Sequence, residues 1–371
     1  MSAERIKAAR ELLGISQEEL ASASELSQGL ISQLERGQKP ATERVLQAIA
    51  RGTGLPWRFF TKDVGPSTTD SLRFRKYRTA SAKDTARAHR TFVELAFAAG
   101  ELMDWAGQPT PLLPDTATES YACDDIEDLA LATRLALALD EGEPIRHLTR
   151  ALERASIPIA PIVFTDLGRD EGDEIAAVGH FGLSSRSSER ARANIGYFPS
   201  SGDRQRFTLA HEVGHLVLHS GSTVTGGEER EADRFAGALL MPRPVAARVL
   251  TKDLNLRDFA HLKAAWGMSI QALVMRAYHL GVIDEDRRTS LYKQISARGW
   301  RREEPVVVRN EAPALLGTLI RRRYGAGGDL YLRAAEDLGL PPVQLRSMMP
   351  PVDPDMAAKG TRSAQVIQLR R

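Results

Sequence analysis

The sequence predicts a mainly α protein with a small α+β core near its middle and five short helices at its N-terminus. Three observations carry this expectation. Residues 3–62 break into short amphipathic stretches bounded by capping residues and glycines. Residues 157–164, 175–181 and 193–198 are short, β-branched and strand-like. From about residue 204 to 292, and again over 313–349, apolar residues recur at helical spacing.

Taken in order, residues 5–13 place Ile6, Ala9, Leu12 and Leu13 on one side, and Gly14 stops the helix. Ser16 with Glu19 three residues on reads as a capping box for a helix over 17–24. Ser27 caps a third helix carrying Leu30, Ile31 and Leu34 inward, and Gly37 ends it. Residues 42–52 make a fourth helix, and Leu55, Trp57, Phe59 and Phe60 seal the base. Residues 63–70 read as a linker and 72–90 as a basic stretch that either adds phosphate contacts or is a solvated helix face, the latter slightly favoured. Helices are expected at 82–105, 126–139 and 145–155, and two more within 313–349, before a loose tail from Pro350. The domains expected are 1–62, a connector over 63–124, a central domain over 125–284, and a helical region over 285–371.

Composition bounds what the chain can do. Its 371 residues are 42% hydrophobic and 26% charged, enough for several packed cores. A net charge of +2 gives no global field for nucleic acid, so any DNA binding is local. Cys123 is alone, which excludes an intrachain disulfide or a cysteine-built zinc site and fits a reducing compartment. Charged residues through the first twenty positions leave no signal-peptide core, and no apolar run spans a membrane, so the expectation is cytoplasmic.

The chemistry concentrates in His211-Glu212-Val213-Gly214-His215. Residues four apart share a helix face, so two imidazoles can grip one metal there, with Glu212 beside it as a base. Zinc bound at such a site lowers the pKa of its water to about 7, within reach of a neighbouring carboxylate. Apolar neighbours from Phe207 to Leu218 bury this helix, and Gly214 inside it points to a close approach to its backbone. A catalytic zinc needs a third protein ligand. Glu229 and Glu231 both stand on the next helix, about 160° apart on its surface at 100° per residue, and the residues alone leave them even. Asp233, one turn after Glu229, could brace a ligand histidine from behind. His219, one turn after His215, is either a further ligand or the cap of its helix near Gly221.

Residues 204–215, followed by Glu229-Arg-Glu-Ala-Asp233 and Phe235 to Pro242, resemble the ImmA/IrrE family of metallopeptidases. The resemblance covers about 125–284. It implies an α+β zinc-peptidase core, Zn2+ on His211, His215 and Glu229, Glu212 as the catalytic base, and Asp233 behind a ligand. It also implies a protein substrate, since well-known members cleave helix-turn-helix repressors. Residues 262–276 have helix-turn-helix shape too, and are read here as a packing unit.

At the N-terminus, helices over 17–24 and from Ser27 form a helix-turn-helix, whose second helix enters the major groove. Its exposed start offers Gln28, Gly29, Ser32 and Gln33 to base edges, while Gln17 and Ser27 can hold phosphate. Residues 3–60 resemble the Cro/repressor (XRE-type) family through 15–21 and 30–37, which implies operator DNA as a partner and a homodimer on paired half-sites. Residues 1–62 hold nine Lys/Arg against seven Asp/Glu, so non-specific affinity is modest. Two functions follow: a DNA-binding regulator that also cleaves a protein, or a transcription factor whose zinc domain senses a ligand or partner without cleaving.

Overall fold

The computed structural model describes residues 3–64, 73–76, 81–111, 113–114, 121–164, 180–186, 192–219 and 227–351. The expected linker over 65–70, strand residues 175–179, Gly221 and the tail from 352 lie outside the described residues. In chain order the elements begin with α1 (Ala3–Leu13), α2 (Gln17–Ala23), α3 (Gln28–Glu35), α4 (Glu43–Thr53) and α5 (Trp57–Thr61). Next come β1 (Arg73–Lys76), α6 (Ala82–Trp105), α7 (Cys123–Ala136), α8 (Leu148–Arg154), β2 (Ile159–Pro161), β3 (His180–Arg186) and β4 (Ala193–Tyr197). Then follow α9 (Gly202–Leu218), α10 (Glu228–Leu240), α11 (Arg243–Val249), α12 (Leu256–Trp266), α13 (Ile270–His279) and α14 (Glu285–Ala297). The last are α15 (Leu315–Tyr324), α16 (Leu330–Leu338) and α17 (Pro342–Met348). Among the described residues the protein is mainly α with one small mixed sheet, as the patterning predicts.

Two compact units divide it, the first drawn from 1–109, 158–198 and 313–353, the second from 110–157 and 199–312. In the first, α1–α5 fold where their caps dictate. Ser16 completes a capping box with Glu19, and Ser27 and Thr42 accept from Leu30 and Val45 backbone N–H groups. Ile6, Leu12, Leu20, Ile31, Leu34, Leu46, Ile49, Phe59 and Phe60 make the bundle core. At Gly52 a Cβ would stand 2.0 Å from the Ala23 carbonyl oxygen, so only glycine lets α4 meet the end of α2. Trp57 departs from the sequence reading. It is 39% exposed, because a five-residue helix offers one face to the core and Phe59 and Phe60 fill it.

In the basic stretch the side chains of 72–80 lie outside the described residues and Lys83 is exposed as expected, but two arginines depart from the reading. Arg87 and Arg90 on α6 are buried. Arg87 donates to the Leu12 carbonyl and stacks 4.6 Å from the Phe164 ring, and Arg90 pairs with Glu11 at 3.3 Å. Internal acceptors, absent from any linear pattern, draw these guanidiniums inward. One turn on, Glu94 is fully buried between Arg5 at 2.6 Å and Lys62 at 2.8 Å. This ionic cluster locks α1 and the end of the α1–α5 bundle to α6.

The sheet has order β1-β3-β4-β2, with β2 parallel to β4 and the other pairs antiparallel. Of the second expected strand, 175–181, only residues 180–181 are described, and they open β3, whose ladder bonds continue through Ser184 and Ser185, both buried. The stretch 313–349 holds three helices rather than two. Gly325 and Gly339, with φ of +87° and +72°, and Pro341 break it twice.

In the second unit α9 and α10 pack side by side, with α7 on α10. The first turn of α9 is pinned. Gln205 and Glu311 exchange bonds, the Gln205 amide donating to the Glu311 carbonyl at 2.8 Å and the Glu311 N–H to Gln205 Oε1 at 3.0 Å. Arg206 pairs with the Glu311 carboxylate, and Asp203 with Lys263 at 2.9 Å.

Candidate metal centre

His211 and His215 lie one turn apart on α9, both buried. Their Nε2 atoms face each other at 3.0 Å. Glu229, in the first turn of α10, brings Oε2 to 3.5 Å from His211 Nε2 and Oε1 to 3.3 Å from His215 Nε2. The three donor atoms lie within 4.8 Å of one another. Ligands about 2.0–2.1 Å from a tetrahedral ion stand about 3.3–3.4 Å apart. Separations of 3.0, 3.3 and 3.5 Å fit that figure, and two imidazoles with a carboxylate are a borderline-soft donor set suited to a divalent ion. Burial would raise the carboxyl pKa of Glu229, but the two imidazoles hold it well below the usual range. Its side chain is 49% exposed, so the cluster is not sealed from water.

Gly214 explains how the helices approach. A Cβ there would lie 3.1 Å from Phe235 Cδ1 and 3.2 Å from Ala232 Cα, both on α10. The close approach inferred from a glycine inside this helix is therefore α10 itself, and it sets the distance at which Glu229 meets the histidines. Glu212 is 1% exposed, between the two histidines on α9.

The remaining carboxylates of α10 divide. Asp233 Oδ1 stands 2.9 Å from His211 Nδ1, so this histidine keeps its proton on Nδ1 and leaves Nε2 toward the cluster. Glu231 is not at the three-donor cluster. Its Oε2 is 2.9 Å from His219 Nε2. His219 is the C-cap residue of α9, its backbone N–H bonded to the His215 carbonyl and its Nδ1 3.1 Å from His215 Nδ1. Burial lowers its pKa despite Glu231. Glu311, which anchors α9, carries no signal in sequence, being a lone glutamate in a loop.

In the N-terminal bundle, Ser27, Gln28 and Gly29 are exposed at the start of α3, while Ser32 and Gln33 are half-buried along it. Gln17 is half-buried and donates to Glu35 at 2.9 Å, so its side chain is engaged within the bundle. The α12–α13 pair differs. Its second helix begins with buried Ile270, whose N–H is taken by Glu304 at 2.9 Å, so its N-terminus already holds an anion. That is the arrangement of a packing unit.

Comparison with known families matches residues 6–60 to a helix-turn-helix domain and residues 182–278 to the IrrE N-terminal-like domain. No curated protein matches the chain. The chain thus carries an XRE-type helix-turn-helix domain at its N-terminus and an IrrE N-terminal-like, metallopeptidase-like domain beyond it. No helix among the described residues is long and apolar enough to cross a membrane.

Proposed function

We propose that this chain is a cytoplasmic transcriptional regulator that binds operator DNA through residues 1–62 and cleaves a protein through a zinc endopeptidase domain over 125–284. The observation that carries it is the convergence of His211, His215 and Glu229 at tetrahedral spacing on a chain with a helix-turn-helix. When bound, zinc supplies a Lewis acid that polarises a carbonyl and acidifies water. His211 and His215 would hold it through Nε2 and Glu229 through its carboxylate. Glu212 accepts a proton from the attacking water and returns it to the leaving amine. Asp233 keeps His211 in the ligating tautomer. A repressor-type protein is the substrate class that best suits a peptidase fused to a DNA reader. Ser27 positions α3 on a phosphate, and Gln28, Gly29, Ser32 and Gln33 face the bases, with two chains on paired half-sites.

The test compares the zinc-loaded wild type with Glu212→Gln, each incubated with repressor-type proteins from the same cell. New termini are read by mass spectrometry. New termini with the wild type alone support the reading. Intact proteins throughout, with zinc bound and operator DNA retained, leave a regulator whose metal domain senses rather than cleaves.

A further inference from the structure

We propose that His219 and Glu231 form a relay that fixes the tautomer of His215 and so presents its Nε2 lone pair to the metal. The inference rests on the metal-site reading above and concerns residues that donate nothing to the ion.

A neutral imidazole carries one N–H, and a ligating nitrogen must be bare. Start from Glu231. An ionised carboxylate only accepts, so Oε2 at 2.9 Å takes the proton of His219 Nε2. Neutral His219 then has a lone pair on Nδ1. That atom faces His215 Nδ1 at 3.1 Å, and one of the two must donate. The donor is therefore His215, whose remaining nitrogen, Nε2, is left bare. Nε2 is the atom that meets Glu229 at 3.3 Å and His211 Nε2 at 3.0 Å.

The two ligand histidines are thus supported differently. Asp233 reaches His211 directly at 2.9 Å, whereas Glu231 reaches His215 only through an intervening ring. Helix geometry gives the reason. Asp233 lies one turn beyond Glu229 on the same face of α10, while Glu231 points about 160° away from Glu229 at 100° per residue. His219, one turn beyond His215 and at the end of α9, spans that gap. Its side chain is 3% exposed and that of Glu231 19%, so water competes weakly for these bonds. Cluster and relay together use all three carboxylates at 229, 231 and 233, each on a different imidazole arrangement.

The experiment measures zinc affinity of the full chain by competition with a chromophoric chelator. It also reads imidazole tautomers by long-range 15N–1H NMR on histidine-labelled, metal-free protein, where no ion dictates which nitrogen is bare. His219→Ala is expected to weaken zinc binding about 10–100-fold, the usual loss when a partner behind a ligand is removed. His219→Gln, whose carbonyl can accept from His215 Nδ1, is expected to recover most of that loss. Glu231→Gln should fall between wild type and His219→Ala. In the metal-free wild type the His215 proton should sit on Nδ1, and metal-free His219→Ala should lose that preference, which a merely structural role for His219 would not require. Wild-type zinc affinity in His219→Ala, or a His215 proton on Nε2, overturns the relay. If His219→Ala fails to fold, judged by circular dichroism of the metal-free chain, His219→Gln and Glu231→Gln decide with the tautomer spectrum. Glu229→Ala separates the two levels: zinc lost there but unchanged in the His219 variants refutes the relay alone. A wild type that takes up no zinc refutes both.

Discussion

Gly214→Ala should weaken the metal cluster even though alanine is the better helix former. Intrinsic propensity favours alanine by about 1 kcal/mol inside a helix. Against this, the added methyl would stand 3.1 Å from Phe235 Cδ1, 3.2 Å from Ala232 Cα and 3.3 Å from Phe235 Cβ. Carbon atoms pack best at about 3.5–4.0 Å, so α10 must retreat by roughly 0.3–0.6 Å. Such crowding costs about 1–3 kcal/mol, for a net loss of about 0–2 kcal/mol after the propensity gain. The larger consequence is at Glu229 on the same helix. A like displacement would open its 3.3 and 3.5 Å separations from the histidines beyond tetrahedral spacing. Zinc affinity, measured by chelator competition, should fall by about tenfold or more, the scale typical of disturbed ligand support. Thermal unfolding of the metal-free chain should move down by no more than a few degrees, about 2–4 °C per kcal/mol lost. A Gly214→Ala chain that melts higher and binds zinc as the wild type does would refute the claim that this contact sets the site.

Gly100→Ala is the matched control: on α6, where a Cβ meets nothing within 4 Å, alanine should raise stability by about 0.5–1 kcal/mol in chemical denaturation. Glu94→Gln should destabilise by about 3–5 kcal/mol, since it leaves Arg5 and Lys62 buried without their counter-charge; a loss under about 1 kcal/mol in urea melts would contradict the cluster's role. Burial works to raise the Glu311 pKa, but His147, Arg206 and the Thr149 N–H lower it from 4.5 to about 2. The folded value is the depressed one, so its stabilisation is full above about pH 4.5 and disappears as pH falls toward 2, amounting to about 3 kcal/mol. Acid titration of stability should therefore be flatter over that window in Glu311→Gln. Ser27→Ala should reduce stability by about 1 kcal/mol through loss of the α3 cap, and should weaken operator binding beyond that in a gel-shift titration at fixed salt.

Local physics made much of this protein legible in its sequence. The caps at Ser16 and Ser27, the stops at Gly14 and Gly37, and the apolar spacing of α1–α4 depend on residues within one turn of each other, so a linear reading finds them. The pairing of His211 with His215 is likewise set by helical pitch, and the helical stretch over 82–105 coincides with α6. What failed were readings that assumed a solvent-facing or core-facing side without knowing the neighbour. Arg87 and Arg90 turned inward because Leu12 and Glu11 wait there, and Trp57 turned outward because two phenylalanines had taken its place.

Caps and helical spacing along the chain define a helix-turn-helix, a two-histidine helix and a carboxylate-rich helix after it. They leave Glu229 and Glu231 even, since both lie in the first turn of α10 and helical pitch says nothing about where another helix stands. Only the tertiary structure separated them. The contact at Gly214 sets α10 against α9, with Glu229 beside the histidine nitrogens and Glu231 against His219. The tertiary structure also divided the chain into units built from separated segments, so that Glu311 anchors α9 in one unit while residues 313–353 belong to the other. Such choices arise from contacts far apart along the chain, whose partners are fixed by packing rather than by any local pattern.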